Sequence, residues 1–222
     1  MGNQERKARE KEIRRTDILD AAERLFFRDG YAAATMDHVA KEADFSKRTV
    51  YVYFNSKEQI LFEIMMRGYK LLIAEVEAGL ADATPRNALD TIRRIGNTIY
   101  TFSIAHPDYF KAIVDYENSE LDFNSPIPDQ SREECYALGE RLSEFLSGAL
   151  TAGIAEGVIR KDLDVAGTTL ILWACIIGVF GTVRKKEEYI KNVHQRDSQK
   201  LVFEAFELLI KSIASTKGEV RA

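Results

Sequence analysis

The chain has 222 residues, with 31 lysines and arginines against 35 aspartates and glutamates, for a formal net charge of −4. Four prolines and a scarcity of alternating β-branched runs exclude a β-rich chain. The only two cysteines, Cys135 and Cys175, exclude a disulfide framework, and a charged N-terminus with no apolar run behind it excludes a secretory signal.

The expected compartment is therefore the cytoplasm. The charge is unevenly spread. Residues 1–60 carry 12 basic and 11 acidic side chains, whereas residues 61–222 carry 19 and 24. Arg6, Lys7, Arg9, Lys11, Arg14 and Arg15 make the leading end basic, so a local cationic surface coexists with an acidic body.

Apolar residues at helical spacing (Ile18, Leu19, Ala22, Leu25, Phe26) predict a first helix over 14–29, closed by Gly30. Thr35 caps a short helix from Met36 to about Ala43, and Ser46 caps another from Lys47 to about Phe54. Ser56 to Gln59 reads as a capping box opening a long helix to about Leu80. Thr84-Pro85 predicts the next start, and that helix ends at Ala105. His106-Pro107 opens a helix ending near Asn118. Residues 118–130, with Pro126 and Pro128, read as a loop. Ser131 to Glu134 reads as a second capping box, whose helix stops near Gly157. Asp164 caps an uncharged helix over 165–183. Residues 187–196 read as a polar loop or frayed helix ends, and a last amphipathic helix covers 198–213. The fold class is thus all-α with about nine helices.

Residues 35–54 have helix-turn-helix proportions, with the turn at Ala43-Asp44-Phe45. Val50 and Phe54 share one face of the second helix, which leaves Arg48, Thr49, Tyr51 and Val52 pointing away from it. That outward face suits phosphate and base-edge contacts.

Here the sequence resembles the TetR family of regulators. The resemblance rests on Ile18 to Phe26, on Gly30-Tyr31 followed by Thr35, on Ser46 to Phe54, and on Ser56-Lys57-Glu58. It implies that Thr35 and Ser46 cap helices beside DNA phosphates. It places Lys47, Arg48, Thr49, Tyr51 and Val52 at the major groove and assigns Tyr53 and Lys57 to the phosphate backbone. Two positions depart from the family pattern: Asp44 stands where the turn usually has glycine, and Arg48 where the recognition helix often does. The resemblance divides the chain into a DNA-binding domain, residues 1–56, and a ligand-binding and dimerisation domain, residues 57–222.

In the second part, the family implies an effector pocket, with Phe62, Met65, Met66, Tyr69, Tyr100, Phe110 and Trp173 as candidate lining. Asp108, Asp115 and Glu117 are compatible with a lipophilic cation. The helices 165–183 and 198–213 carry more apolar stripe than one subunit needs, with Ile177 and Phe206 taken as interface positions. In the family they pair with their symmetry mates, and Gly178 and Gly181 permit close approach. The uncharged stretch 165–183 is long enough to span a bilayer, but its glycines and threonines favour burial in a core or dimer interface, and no membrane is expected.

No G-x-S-x-G, glycine-rich phosphate loop, H-E-x-x-H or clustered metal-ligand pattern occurs, so no enzyme, metal or cofactor is expected. The expected function is a homodimeric regulator, a repressor released from a palindromic double-stranded DNA operator by a small lipophilic effector. The competing reading is a helical protein-interaction adaptor that does not bind DNA.

Overall fold

The computed structural model describes residues 2–82, 85–117 and 130–215. Among them are ten helices: α1 Asn3–Asp29, α2 Met36–Glu42, α3 Lys47–Tyr53, α4 Lys57–Ala81, α5 Ala88–Ala105, α6 Pro107–Glu117, α7 Gln130–Glu156, α8 Val165–Lys185, α9 Glu187–His194 and α10 Ser198–Ile213. One isolated antiparallel bridge joins Ile159 to Ala214.

Local chemistry sets most of the ends. Gly30 closes α1 at φ +84°, donating its N–H to the Phe26 carbonyl at 3.0 Å. Asp164 and Asp197 accept from Gly167 and Lys200 backbone N–H groups, both at 2.7 Å, and so cap α8 and α10. Ser56 Oγ accepts from Gln59 N–H at 3.0 Å. The Gln59 amide oxygen reaches back to accept from Asn55 N–H at 2.7 Å.

Four expectations need correction. First, α1 starts at Asn3 rather than near Arg14. Its first turns are polar on every side, so apolar periodicity gives no signal there, and an Arg6–Glu10 pair one turn apart, at 3.7 Å, supports the helix instead. Second, α5 begins after Asn87, whose side chain accepts from Asp90 N–H at 3.0 Å. Thr84 lies outside the described residues. Third, Ser131 sits inside α7 instead of capping it, and its hydroxyl donates to Glu63 at 3.2 Å. The proline-containing stretch 118–129 is also outside the described residues. Fourth, the polar segment 187–194 is a tenth helix, α9. It buries Ile190, has Glu187 and Glu188 in its first turn and Lys191 and His194 in its last, and ends at Gln195 with φ +52°.

The helices form two compact units. One holds the described residues of 1–69 and 108–138, the other those of 70–107 and 139–222. In the first, α1 packs on α2 and α2 on α3. Ile18, Val39, Val50, Phe54, Ile60, Phe62, Ile64, Met65 and Ile113 are fully buried there, each contributing about 1.5–3 kcal/mol of apolar burial. In the second, α10 packs on α8, α5 and α9. Leu72, Phe102, Leu150, Ile159 and Val202 form its most deeply buried set. Phe206 of α10 lies against Gly96 of α5, where a Cβ would sit 3.4 Å from the ring.

Candidate DNA-binding site

The pair α2–α3 is built for exposure of one face. Val39 and Ala40 of α2, Val50 of α3 and Phe54 at its C-terminal end are buried. The turn between the helices passes through Asp44 at φ +56°, the left-handed region that Asp enters at lower cost than most non-glycine residues. Thr35 Oγ1 accepts from His38 N–H at 3.2 Å and Ser46 Oγ from Thr49 N–H at 3.1 Å, so both expected caps form. The N-terminus of α3 is thereby pinned one turn from the side chains that face outward.

Lys47, Arg48, Tyr51 and Val52 form that outward row, and Val52 is 67% exposed. An apolar side chain held that far into solvent stabilises nothing in the protomer. It suits contact with a thymine methyl. Arg48 makes no hydrogen bond or ion pair among the described residues. Lys47 Nζ bonds Asp37 Oδ2 at 2.9 Å, an exposed contact that raises the lysine pKa. Thr49 and Tyr53 are half-buried, and the Thr49 hydroxyl is engaged with Ser46 Oγ at 2.8 Å.

Lys57 has a partner set that sequence reasoning missed. Its ammonium donates to the carbonyls of Tyr31 and Ala34, both at 2.8 Å, and lies 4.1 Å from the Tyr31 ring centroid. Burial pulls its pKa down. It ties the start of α4 to the α1–α2 link. The signal in the sequence was Tyr31 following Gly30, an aromatic just past the end of the first helix.

Residues 18–64 match the family model for bacterial regulatory proteins of the tetR family. Residues 18–64 are a TetR-family DNA-binding module. The fatty acid metabolism regulator protein of Bacillus subtilis is 26% identical to this chain over 201 residues, 88% of this chain and 93% of that one. The transcriptional repressor NicS of Pseudomonas putida is 25% identical over 167 residues, 75% of each. The structure of AibR with isovaleryl coenzyme A and operator DNA superposes with a TM-score of 0.62 at 20% identity, covering 89% of this chain and 98% of that one. At that identity the likeness shows a shared fold. The protein is a DNA-binding transcriptional regulator.

The remaining candidate residues fall in both units. In the first unit, Phe62, Met65, Met66, Tyr69 and Phe110 are all buried. Phe62 meets Tyr116 edge-on at 5.2 Å, and Tyr69 donates to Glu117 Oε1 at 2.8 Å. Burial and the adjacent Glu117 carboxylate push the Tyr69 phenol well above its ordinary range. Tyr136 and Cys135 of α7 join this cluster: the Tyr116 and Tyr136 hydroxyls are 3.1 Å apart. Tyr100 and Trp173 belong to the second unit, both half-buried. Tyr100 packs against Phe180 of α8 and Phe203 of α10, at 5.3 and 5.8 Å. Asp115 is exposed and paired with Lys111 of its own helix, and Asp108 is exposed.

Proposed function

We propose that this protein is a repressor that binds a palindromic operator as a homodimer and leaves it when a small, largely apolar molecule binds. The observation carrying this reading is the outward row Lys47, Arg48, Tyr51 and Val52 on a helix capped at its start and buried behind. Thr35, Ser46, Thr49, Tyr53 and Lys57 stand around it as phosphate contacts or as supports for the helix. The names of two relatives agree with the direction of control: NicS and KstR2 of Rhodococcus jostii are both named as repressors. Residues 1–56 act as the DNA-binding part and residues 57–222 as the sensing and dimerising part, in the cytoplasm and without enzymatic activity.

A dimer is supported by α8 and α10. Leu170 is 69% exposed, Leu208 70%, and Ile171 and Phe203 are also exposed. Nothing lies within 4 Å of a Cβ built on Gly178 or Gly181. Helix α8 is apolar and long enough to cross a membrane, but its row Thr169, Leu172, Ile176, Phe180 and Val183 is buried within its own unit. A second copy covers the remaining apolar row at lower cost than a bilayer, because α10 exposes its row beside it.

The effector is proposed to act on the first unit, among Phe62, Met65, Met66, Tyr69 and Phe110. Four of these lie on α4, which starts three residues after Phe54 ends the recognition helix. Displacement of α4 therefore displaces α3. Effector and operator then exclude one another equally, typically by about 1–3 kcal/mol of coupling.

The test has two stages. Duplexes are selected from a random pool with the purified protein, and an inverted repeat is expected to emerge. The selected duplex is then titrated with fatty acids, acyl-coenzyme A thioesters of graded chain length and lipophilic cations. Retention of no duplex above background overturns the DNA reading. Ligands that raise the melting temperature but leave operator affinity unchanged overturn the sensing reading alone.

A further inference from the structure

The first turns of α1 stand in solvent. Every residue from Gln4 to Arg14 is exposed, yet the helix runs through them without a break into the core of the first unit. Its sequence explains what that length presents. Lys7, Lys11, Arg14, Ile18, Ala22 and Leu25 follow one another at steps of four and three residues, which places them in a single stripe along the helix. From Ile18 onward the stripe is buried and apolar. Before it, the same stripe is cationic. Of the acidic residues of this arm, Glu5 and Glu12 lie on the far side of the helix, while Glu10 borders the stripe and pairs with Arg6 at 3.7 Å.

The root of the stripe sits beside the recognition helix. The Arg15 guanidinium lies 4.9 Å over the ring of Phe54, the residue that ends α3. The face of α1 that packs on the helix-turn-helix pair therefore continues, past the end of that pair, as a row of three positive charges. At 1.5 Å per residue, Lys7 lies about 12 Å along the axis beyond Arg15. An apolar ligand finds nothing on this row. A polyanion with charges regularly spaced along its length matches it.

We infer that the Lys7–Lys11–Arg14 row of α1 is a second DNA-binding surface, which takes the phosphate backbone flanking the site read by α3. This rests on the DNA-binding assignment of α3 and adds a contact that carries no sequence preference. The arm lengthens the duplex the protein needs without changing the bases it prefers.

The test compares wild type with two variants of the full chain, by fluorescence anisotropy across a salt series. One is Lys7→Gln/Lys11→Gln/Arg14→Gln. The other is Arg6→Gln/Arg9→Gln, which removes cations that lie off the row. Glutamine keeps the helix propensity in both, and circular dichroism checks the helix content. The probes are the selected duplex with flanks, about 40 base pairs, and the same site trimmed to about 20. The row variant is expected to lose about tenfold in affinity for the long duplex and to flatten the slope of log affinity against log salt by about 2–3 per arm. It should match wild type on the trimmed duplex and prefer the same bases. Unchanged affinity and slope on the long duplex overturns the inference, as does an equal loss from the Arg6/Arg9 variant. If the row variant binds DNA normally but no longer binds phosphatidylserine vesicles that wild type binds, the arm belongs to a membrane surface and the inference fails. Wild type that binds neither duplex overturns the α3 assignment as well, which separates the two failures.

Discussion

Arg15 of α1 bonds both carboxylate oxygens of Glu63 on α4. Glu63 is only 6% exposed, and the Ser131 hydroxyl of α7 also donates to it. A buried carboxylate is tolerated only when its charge is met, so this one residue ties three helices of the first unit together.

Arg15→Gln should therefore destabilise the protein by about 3 kcal/mol, because it leaves a buried charge unpaired. The double variant Arg15→Met/Glu63→Leu should recover much of that loss. Urea denaturation measures both. A single variant within about 0.5 kcal/mol of wild type would show that water, not Arg15, satisfies the carboxylate.

Asp44 occupies left-handed backbone at φ +56°. Asp44→Gly should be neutral or stabilising by up to about 1 kcal/mol, and Asp44→Val destabilising by about 1–2 kcal/mol. Thermal melts of the two variants should bracket wild type. If the valine variant melts no lower than wild type, the turn adopts another conformation in solution.

Arg48 and Lys57 should separate under mutation. Arg48→Ala is expected to leave stability unchanged and to relax preference at particular base pairs by about 1–3 kcal/mol. Lys57→Ala should lower the melting temperature, because the Tyr31 and Ala34 carbonyls lose their donor, and should weaken binding to all duplexes alike. Equal losses on selected and random duplexes for Arg48→Ala would remove it from the base-reading set.

Leu170→Lys with Leu208→Glu should dissociate the proposed dimer without unfolding it, since both side chains are exposed in the protomer. Phe206 is the wrong place for that test. It is 5% exposed, packed on Gly96 and 5.9 Å from the Phe180 ring, so a charge there breaks the unit itself. Sedimentation and circular dichroism together distinguish the two results. A dimer that survives the Leu170/Leu208 variant has a different interface.

The two cysteines should react with thiol reagents at different rates. Cys175 is partly exposed, while burial pushes the Cys135 thiol up to about 12. At pH 8 a thiol reagent should modify Cys175 readily and Cys135 only on unfolding. An acid whose folded pKa is raised holds its proton longer folded than unfolded. Cys135 therefore contributes stability that is lost as pH rises from about 9 toward about 12. Denaturation of Cys135→Ser against wild type across that range checks the sign. Rapid labelling of both thiols in the native state contradicts the burial.

The amino-acid sequence by itself determined the all-helical class, most helix ends and the outward row of α3. These depend on interactions three or four residues apart: caps at Thr35, Ser46, Asp164 and Asp197, and a face marked by Val50 and Phe54. It also placed α8 and α10 as paired apolar helices. Only the tertiary structure decided what happens to side chains whose partners are far along the chain. Lys57 reads as a surface cation until it meets the carbonyls of Tyr31 and Ala34. Glu63 is a lone charge in an apolar run until Arg15 and Ser131 reach it. Phe206 and Leu208 are both apolar positions of one helix, and only the packing of α5 against α10 makes the first a core residue and leaves the second exposed. Where a stripe stops being core and becomes surface, as it does between Ile18 and Arg14, is set by where the neighbouring helices end, and helix periodicity carries no record of that.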